Sequence, residues 1–429
     1  MEEKIISIAI LAEEPLGWGS GKNYFSAILN NYCWRGKKFH YRFVTEFLYD
    51  KNILKGSLKN SKFDVLLVPG GGVGDGESIV KGFTIFRNVR KWKKHIQDFI
   101  QNGGGYVGFC GGAAMITGLK TAADKPKKFI EKLYNNSSLH ISCVDAYYKD
   151  LALPLFYPLQ RWHPEKIGAT AFVFAFRPGL TVDNKRIFCS GVPVDFAIDS
   201  SHPLFSGYDQ KTLRMRWWGG PGLIVPDTST RHIEVVARYP SIDFSTNDTT
   251  SIKAWVYTGS FFGLLKGLYR SLNLIKKEQM SLTNLFTYTF YLAGNWKKTD
   301  TTVALGFSGL PAITTEVYPN KHQGRILLCT AHPEYMIWYG GHIEEVDDDF
   351  TCIGKGFHQW KDIEKLRNNG VQELTHTWWM VRRCVAWAAK IPVEDFPPIE
   401  SGNITEDVKK IWRENIYWDG SFIHQLKNI

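Results

Sequence analysis

The chain reads as an α/β protein built on a doubly wound, mostly parallel sheet. Three observations predict this. Short, continuously apolar runs recur in the first part of the chain, as expected of strands buried on both faces. Amphipathic helical patterns alternate with them. Two of the runs stop at glycine-rich turns, Pro69-Gly70-Gly71-Gly72 and Cys110-Gly111-Gly112. Sheets of this kind place their sites at the carboxyl ends of strands, where both turns fall.

Taken in order, Ile5 to Leu11 is the first run, closed by Glu13-Glu14-Pro15. Gly17-Trp18-Gly19-Ser20 leads into a helical pattern over Asn23 to Tyr32, with Ser20 as its cap. Tyr41 to Thr45 is a weaker second strand and Asp64 to Val68 a third. Val89, Trp92, Ile96, Phe99 and Ile100 lie at helical spacing in a segment that Asn102-Gly103-Gly104 closes. Tyr106 to Phe109 is the fourth strand, and Cys110 sits at its end. From about Thr121 to Asp300 the alternation fails. Strand-like runs remain at His140–Val144, Thr170–Phe176, Val192–Ile198, Leu213–Trp218 and His232–Ala237, separated by turn residues. They predict a β-rich insertion or second lobe over 121–299, with an aromatic-rich helix at Ser281–Trp296. Strands resume at Thr302–Leu305, Ala312–Val317 and Arg325–Thr330, and Thr375–Ala389 is a strong helical pattern. The expected organisation is therefore one α/β domain from 1–120 and 300–392, the 121–299 insertion, and a surface extension over 393–429.

Composition narrows the function class. A chain of 429 residues with 44% hydrophobic and 22% charged content suits a soluble globular protein with a large core. The net charge of +10 is modest at this length. Arg87, Arg90, Lys91, Lys93 and Lys94 are interleaved with apolar residues at helical spacing, which reads as a solvated helix face, and no nucleic-acid partner is expected. The seven cysteines are odd in number and form no C-x-x-C pair, so neither disulfides nor zinc is indicated and a reducing cytoplasm fits. The acidic Met1-Glu2-Glu3-Lys4 start is unlike a signal peptide. Ala254 to Leu265, the most apolar later stretch, is too short to span a bilayer and meets Lys266, so no membrane partner is expected. The acidic run Glu344–Asp349 reads as solvated, and the sequence calls for no metal and no cofactor.

The chemistry centres on Gly108-Phe109-Cys110-Gly111-Gly112. A strand ending in a nucleophile bracketed by glycines, with small residues opening a helix behind it, is the layout of a nucleophile elbow. The sharp turn needs glycines because β-carbons would meet the neighbouring strand and helix. A thiol at a helix N-terminus is also biased toward the reactive thiolate. A cysteine nucleophile needs a base and a group that orients the base. His332-Pro333-Glu334 offers both at the end of a buried strand, since side chains two apart on an extended segment share a face. Gly111, directly after the nucleophile, supplies one oxyanion N–H, and the Gly70-Gly71-Gly72 loop supplies the other, through Gly71 or Gly72. A second copy of the tripeptide, His163-Pro164-Glu165, follows no buried strand and precedes Lys166, so it reads as a loop coincidence. Trp217-Trp218-Gly219-Gly220-Pro221 is the most distinctive part of the insertion. Trp218, Gly219 and Gly220 are candidate pocket residues, or the turn packs a sharp bend.

In chain order, these motifs resemble the class I glutamine amidotransferases. They are more closely similar to the amidotransferase-like domain at the N-terminus of biotin-protein ligases and to its stand-alone relatives. The resemblance runs through the Pro69–Gly72 loop, Gly104–Gly112, Trp218-Gly219-Gly220-Pro221 and His332–Tyr335. It implies a flavodoxin-like sheet, a Cys110–His332–Glu334 triad, and an amide substrate for which glutamine is a candidate. It leaves a separate synthetase subunit as a candidate partner. No synthetase or transferase domain follows, and nothing resembles the glycine- and arginine-rich motif of biotin ligation. Two other readings compete. In ThiJ/PfpI-like cysteine hydrolases an acidic residue after the first strand touches the cysteine, and Glu13 or Glu14 stands there. A catalytically silent domain that binds a small molecule or a protein is the third.

Overall fold

The structure, a computed structural model, describes residues 2–12, 21–59, 62–70, 87–121, 129–137, 139–149, 176–178, 180–182, 185–187, 192–217, 219–241, 253–277, 285, 289, 296–302, 305–335, 337–339, 343–345 and 373–400. The first half supplies strands β1 (Glu2–Leu11), β2 (Cys33–Arg35), β3 (Phe39–Leu48), β4 (Val65–Val68), β5 (Gly105–Phe109), β6 (Gly118–Lys120) and β7 (Asp145–Tyr147). Its helices are α1 (Gly21–Leu29), α2 (Asp50–Leu54), α3 (Arg87–Gln101), α4 (Gly111–Ala114) and α5 (Phe129–Ser137). The second half adds β8 (Val192–Ile198), β9 (Thr212–Trp217), β10 (Gly222–Ile224), β11 (His232–Arg238), β12 (Pro311–Val317) and β13 (Arg325–Cys329), with helices α6 (Phe261–Lys277) and α7 (Trp378–Ala388).

Ten strands form one sheet in the order β9-β8-β11-β12-β13-β5-β4-β1-β3-β2. The contiguous block β13-β5-β4-β1-β3 is parallel throughout. Antiparallel strands flank it on both sides. The parallel block is buried on both faces, and alternate side chains of its strands belong to different cores. Ile6, Ile8 and Ile10 of β1 face a core shared with Phe25 and Ile28 of α1 and with Trp378, Val381 and Val385 of α7. Ala9 and Leu11 face the other, with Ile53 of α2 and Trp92, Ile96 and Ile100 of α3. Helices thus cover both faces of the sheet. No helix among the described residues is long and apolar enough to cross a membrane.

The structure departs from the sequence expectations in three places. Within 121–299, strands β8, β9 and β11 do not form a separate lobe: they extend the central sheet through β12. Their inward residues Phe196, Leu213, Met215, Trp217 and Val236 join the same core as β1, β5 and β13. Short antiparallel runs with one apolar face say that a strand is half-buried but not which sheet it joins. The second departure is His140–Val144, which is a loop. His140 has a positive φ of 37°, and the buried carboxylate of Glu316 draws this segment off any ladder. Glu316 accepts from Ser142 Oγ at 2.6 Å and from the backbone N–H of Cys143, and it pairs with Arg231. Third, the 393–429 extension begins as part of the body. Asp395 is buried, accepts from Tyr41 Oη at 2.8 Å and from the N–H of Lys37 at 2.6 Å, and its carbonyl receives Trp34 Nε1 at 2.7 Å. Residues 401–429, the Ser281–Trp296 pattern apart from Leu285, Thr289 and Trp296, and His163-Pro164-Glu165 lie outside the described residues.

Glu316 holds together a loop, a strand and an arginine, so losing its carboxylate strands three donors. Glu316→Ala should destabilise the protein by about 3 kcal/mol, as expected when one partner of a buried pair is removed. Glu316→Gln, which keeps an acceptor, should cost less. Denaturant midpoints of the two variants against the wild type measure the difference.

Candidate active site

Cys110 stands at the carboxyl end of β5, in the middle of the parallel block. Its backbone adopts φ 46° and ψ −111°, a left-handed region that a residue with a β-carbon enters only when its surroundings force it. The forcing is visible. Cys110 N–H donates to the Cys329 carbonyl at 2.7 Å, which continues the β5–β13 ladder. Immediately afterwards the chain turns, and the Cys110 carbonyl receives Ala113 N–H at 3.0 Å as α4 begins. Gly112 packs so closely on β4 that a β-carbon there would lie 2.2 Å from the Val68 carbonyl oxygen. Tyr106 Oη donates to the Gly112 carbonyl at 2.6 Å and locks the turn from below. The helix behind the cysteine is a single turn, Gly111–Ala114, so its macrodipole is small. Stabilisation of a thiolate therefore rests chiefly on its side-chain neighbours.

His332 and Glu334 follow β13, the strand beside the elbow. Nδ1–H of His332 donates to Glu334 Oε1 at 2.7 Å, and both residues are fully buried. The pairing does not come from an extended segment. His332 to Tyr335 is a turn, closed by Tyr335 N–H on the His332 carbonyl at 3.3 Å, and the turn brings the carboxylate beside the ring. With Nδ1 held by Glu334, Nε2 is the nitrogen available to the thiol. Gly70 shows how near the two groups are. A β-carbon on Gly70 would lie 2.3 Å from Cys110 Cβ and 2.9 Å from His332 Cε1, so only glycine leaves room where the thiol and imidazole meet.

The electrostatics favour an ion pair. Burial alone would lower the His332 pKa, but the negative charges of Cys110 and Glu334 outweigh it and raise the value to about 10. Charge interactions are reciprocal: an imidazolium held by a thiolate holds the thiolate in turn. Around this pair the scaffold is rigid. His332 N–H donates to the Arg216 carbonyl at 2.8 Å, in a single bridge between the β13 turn and β9. The Tyr335 ring stacks on the imidazole with centroids 5.0 Å apart, and the Arg216 guanidinium lies 5.2 Å from the Tyr335 centroid. Trp378 Nε1, at the start of α7, donates to the Glu334 carbonyl at 3.0 Å, and Thr377 Oγ1 donates to that of Pro333 at 3.2 Å.

The predicted residues divide as follows. Cys110, Gly111, His332 and Glu334 are brought to one place. Gly219 and Gly220 are buried beside it: Gly219 has a φ of 82°, and a β-carbon on Gly220 would strike the Thr330 carbonyl oxygen at 1.9 Å. Trp217 is buried, with its indole N–H on the Gly220 carbonyl at 3.0 Å, so this turn packs a sharp bend against the strand that carries His332. Glu13, Gly71, Gly72 and Trp218 lie outside the described residues. Sequence reasoning assigned no role to Gly70 or Tyr335, although both belong to motifs it had singled out. Arg216 and Trp378 carry no local signal, since only the tertiary fold brings them to the histidine. Among the described residues no cluster of His, Cys, Asp or Glu could hold a metal. No protein-family model matches the chain, and no curated protein matches it.

The raised histidine pKa sets a pH dependence. Below about 10 the imidazolium keeps its proton and favours the thiolate. Alkylation of Cys110 by iodoacetamide should therefore be faster at neutral pH than that of an ordinary thiol. His332→Asn should move the labelling curve toward an ordinary thiol, near pH 8.5. Glu334→Gln should fall between the two. A wild-type curve already like that of a free thiol would mean that no ion pair forms.

Proposed function

We infer that the protein is a cysteine-dependent amidohydrolase of the glutamine amidotransferase type. One observation carries the reading: a cysteine at a strained strand-to-helix turn meets a buried histidine whose other nitrogen is held by a carboxylate. In the reaction, the Cys110 thiolate attacks the amide carbon and the carbonyl oxygen takes up the negative charge. The N–H of Gly111 receives that charge, and Gly71 or Gly72, outside the described residues, is the candidate for the second donor. His332, protonated, gives its proton to the leaving nitrogen, and ammonia departs from a thioester on Cys110. Neutral His332 then takes a proton from water, the resulting hydroxide attacks the thioester, and the thiolate and acid are released. Glu334 keeps the imidazole in one orientation and stabilises its charged form.

Two further features support the reading. The order of glycine loop, elbow and strand-end His-x-Glu resembles that of class I glutamine amidotransferases and of the related domain in biotin-protein ligases. The parallel block also has the flavodoxin-like strand order 2-1-3-4-5 when its strands are numbered along the chain. Cys110 is only 5% exposed, which favours a small primary amide, glutamine among them. A separate synthetase subunit is the candidate consumer of the ammonia. The five described cysteines are free, which suits a reducing cytoplasm.

The test is ammonia release from glutamine and from a panel of small amides. Wild-type protein should release it and Cys110→Ala should not. A glutamine-analogue alkylator should label Cys110 alone. Wild type that does neither would refute the reading. Gly70→Ala should cut the rate by roughly a hundredfold, because its methyl group displaces the thiol from the imidazole.

A further inference from the structure

Helix α6 packs on the body through one side and presents large apolar side chains to solvent on the other. Ser260 caps it, with Oγ accepting Gly263 N–H at 3.2 Å, so the helix starts cleanly at Phe261. Gly267 and Ser271 are buried, and Leu264 packs on the main core. The large apolar side chains point outward: Phe261 is 70% exposed, Phe262 80%, Leu265 46%, Tyr269 62% and Leu272 43%. At 3.6 residues per turn these five fall within an arc of about 100°. They are half of the exposed large apolar side chains among the described residues. The others are scattered over three elements and a turn, so this is a patch rather than ordinary surface apolarity.

The polar residues of the helix have one sign. It carries Lys266, Arg270, Lys276 and Lys277, and no Asp or Glu. Lys266 is exposed at the edge of the aromatic arc, and Lys276 is exposed in line with it, at the C-terminal end of the helix. This charge selects the occupant. A second copy of the chain meeting this face about a twofold axis would set cations against cations. A convex apolar arc with one lysine at its edge and another at its C-terminal end matches a surface that is apolar below and anionic above. We propose that α6 is an interfacial anchor, which seats the protein on anionic membrane surfaces with its aromatic arc among the headgroups and its lysines on their phosphates. Interfacial attachment needs no spanning segment. It agrees with the shortness of the Ala254–Leu265 apolar run, and it is independent of the chemistry at Cys110.

Co-sedimentation of the full chain with vesicles tests it, using phosphatidylcholine alone and an equal mixture with phosphatidylserine. The wild type should bind the mixture, release in high salt and ignore the zwitterionic vesicles. Lys266→Glu and Lys276→Glu should each weaken binding by about fivefold or more, and Phe261→Ser with Phe262→Ser should abolish it. These side chains are exposed, so circular dichroism and the thermal midpoint should stay unchanged. Equal binding to both vesicle types, or none to the anionic ones, would overturn the proposal. So would a lipid-free dimer that the double Phe variant dissolves, since the arc would then be a protein interface.

Discussion

The fold and the candidate site both depend on one close approach, that of the backbone around Cys110 to the strands on either side. Val68, Gly70, Cys110 and Gly112 are packed so tightly that β-carbons on the glycines would overlap backbone or reactive atoms. The cysteine therefore holds a backbone conformation that it would not choose, and the cost is borne by the ladder hydrogen bond to Cys329 and by the first turn of α4. Because β4, β5 and β13 are adjacent and parallel, their carboxyl ends bring the glycine loop, the elbow and the histidine turn to one point. A different strand order would separate them.

The triad is buried, and burial gives its charges their force. A histidine with no charged neighbours would be neutral in this environment. Here the two negative groups reverse that tendency and keep the ring charged well above neutral pH. The arrangement resists loosening, because His332 is fixed through its backbone by Arg216, through its ring face by Tyr335 and through Nδ1 by Glu334. Each contact comes from a different direction. The imidazole therefore has little freedom except toward the thiol.

Much of this was legible in the sequence, for local reasons. Continuous apolar runs and helical spacings gave the parallel block and its helices, and glycines around Cys110 gave the elbow. The strand-end His-x-Glu gave the buried imidazole–carboxylate pair, although by a turn rather than the extended segment expected. What was not legible depends on long-range pairing. No local pattern says that β8, β9 and β11 join the central sheet, that Glu316 reaches back to Ser142, or that Asp395 is buried under the β2–β3 edge. Gly70 was hidden within a run of three glycines, and its closeness to Cys110 is set by the pairing of β4 with β5. The packing of Gly220 on Thr330, more than a hundred residues away, is likewise a long-range contact with no local signal.

The bridge between His332 and Arg216 also has a consequence for the order of synthesis. Cys110 emerges from the ribosome more than two hundred residues before His332, and His332 is held by a strand that must already be in place. Trp378 and Thr377, which hold the turn from the other side, come later still. A nascent chain thus carries Cys110 without its histidine neighbour through much of its translation. Cys110, His332 and Glu334 come together only when the last strand of the parallel block and the helix after it have docked, so this cluster is a product of the completed fold.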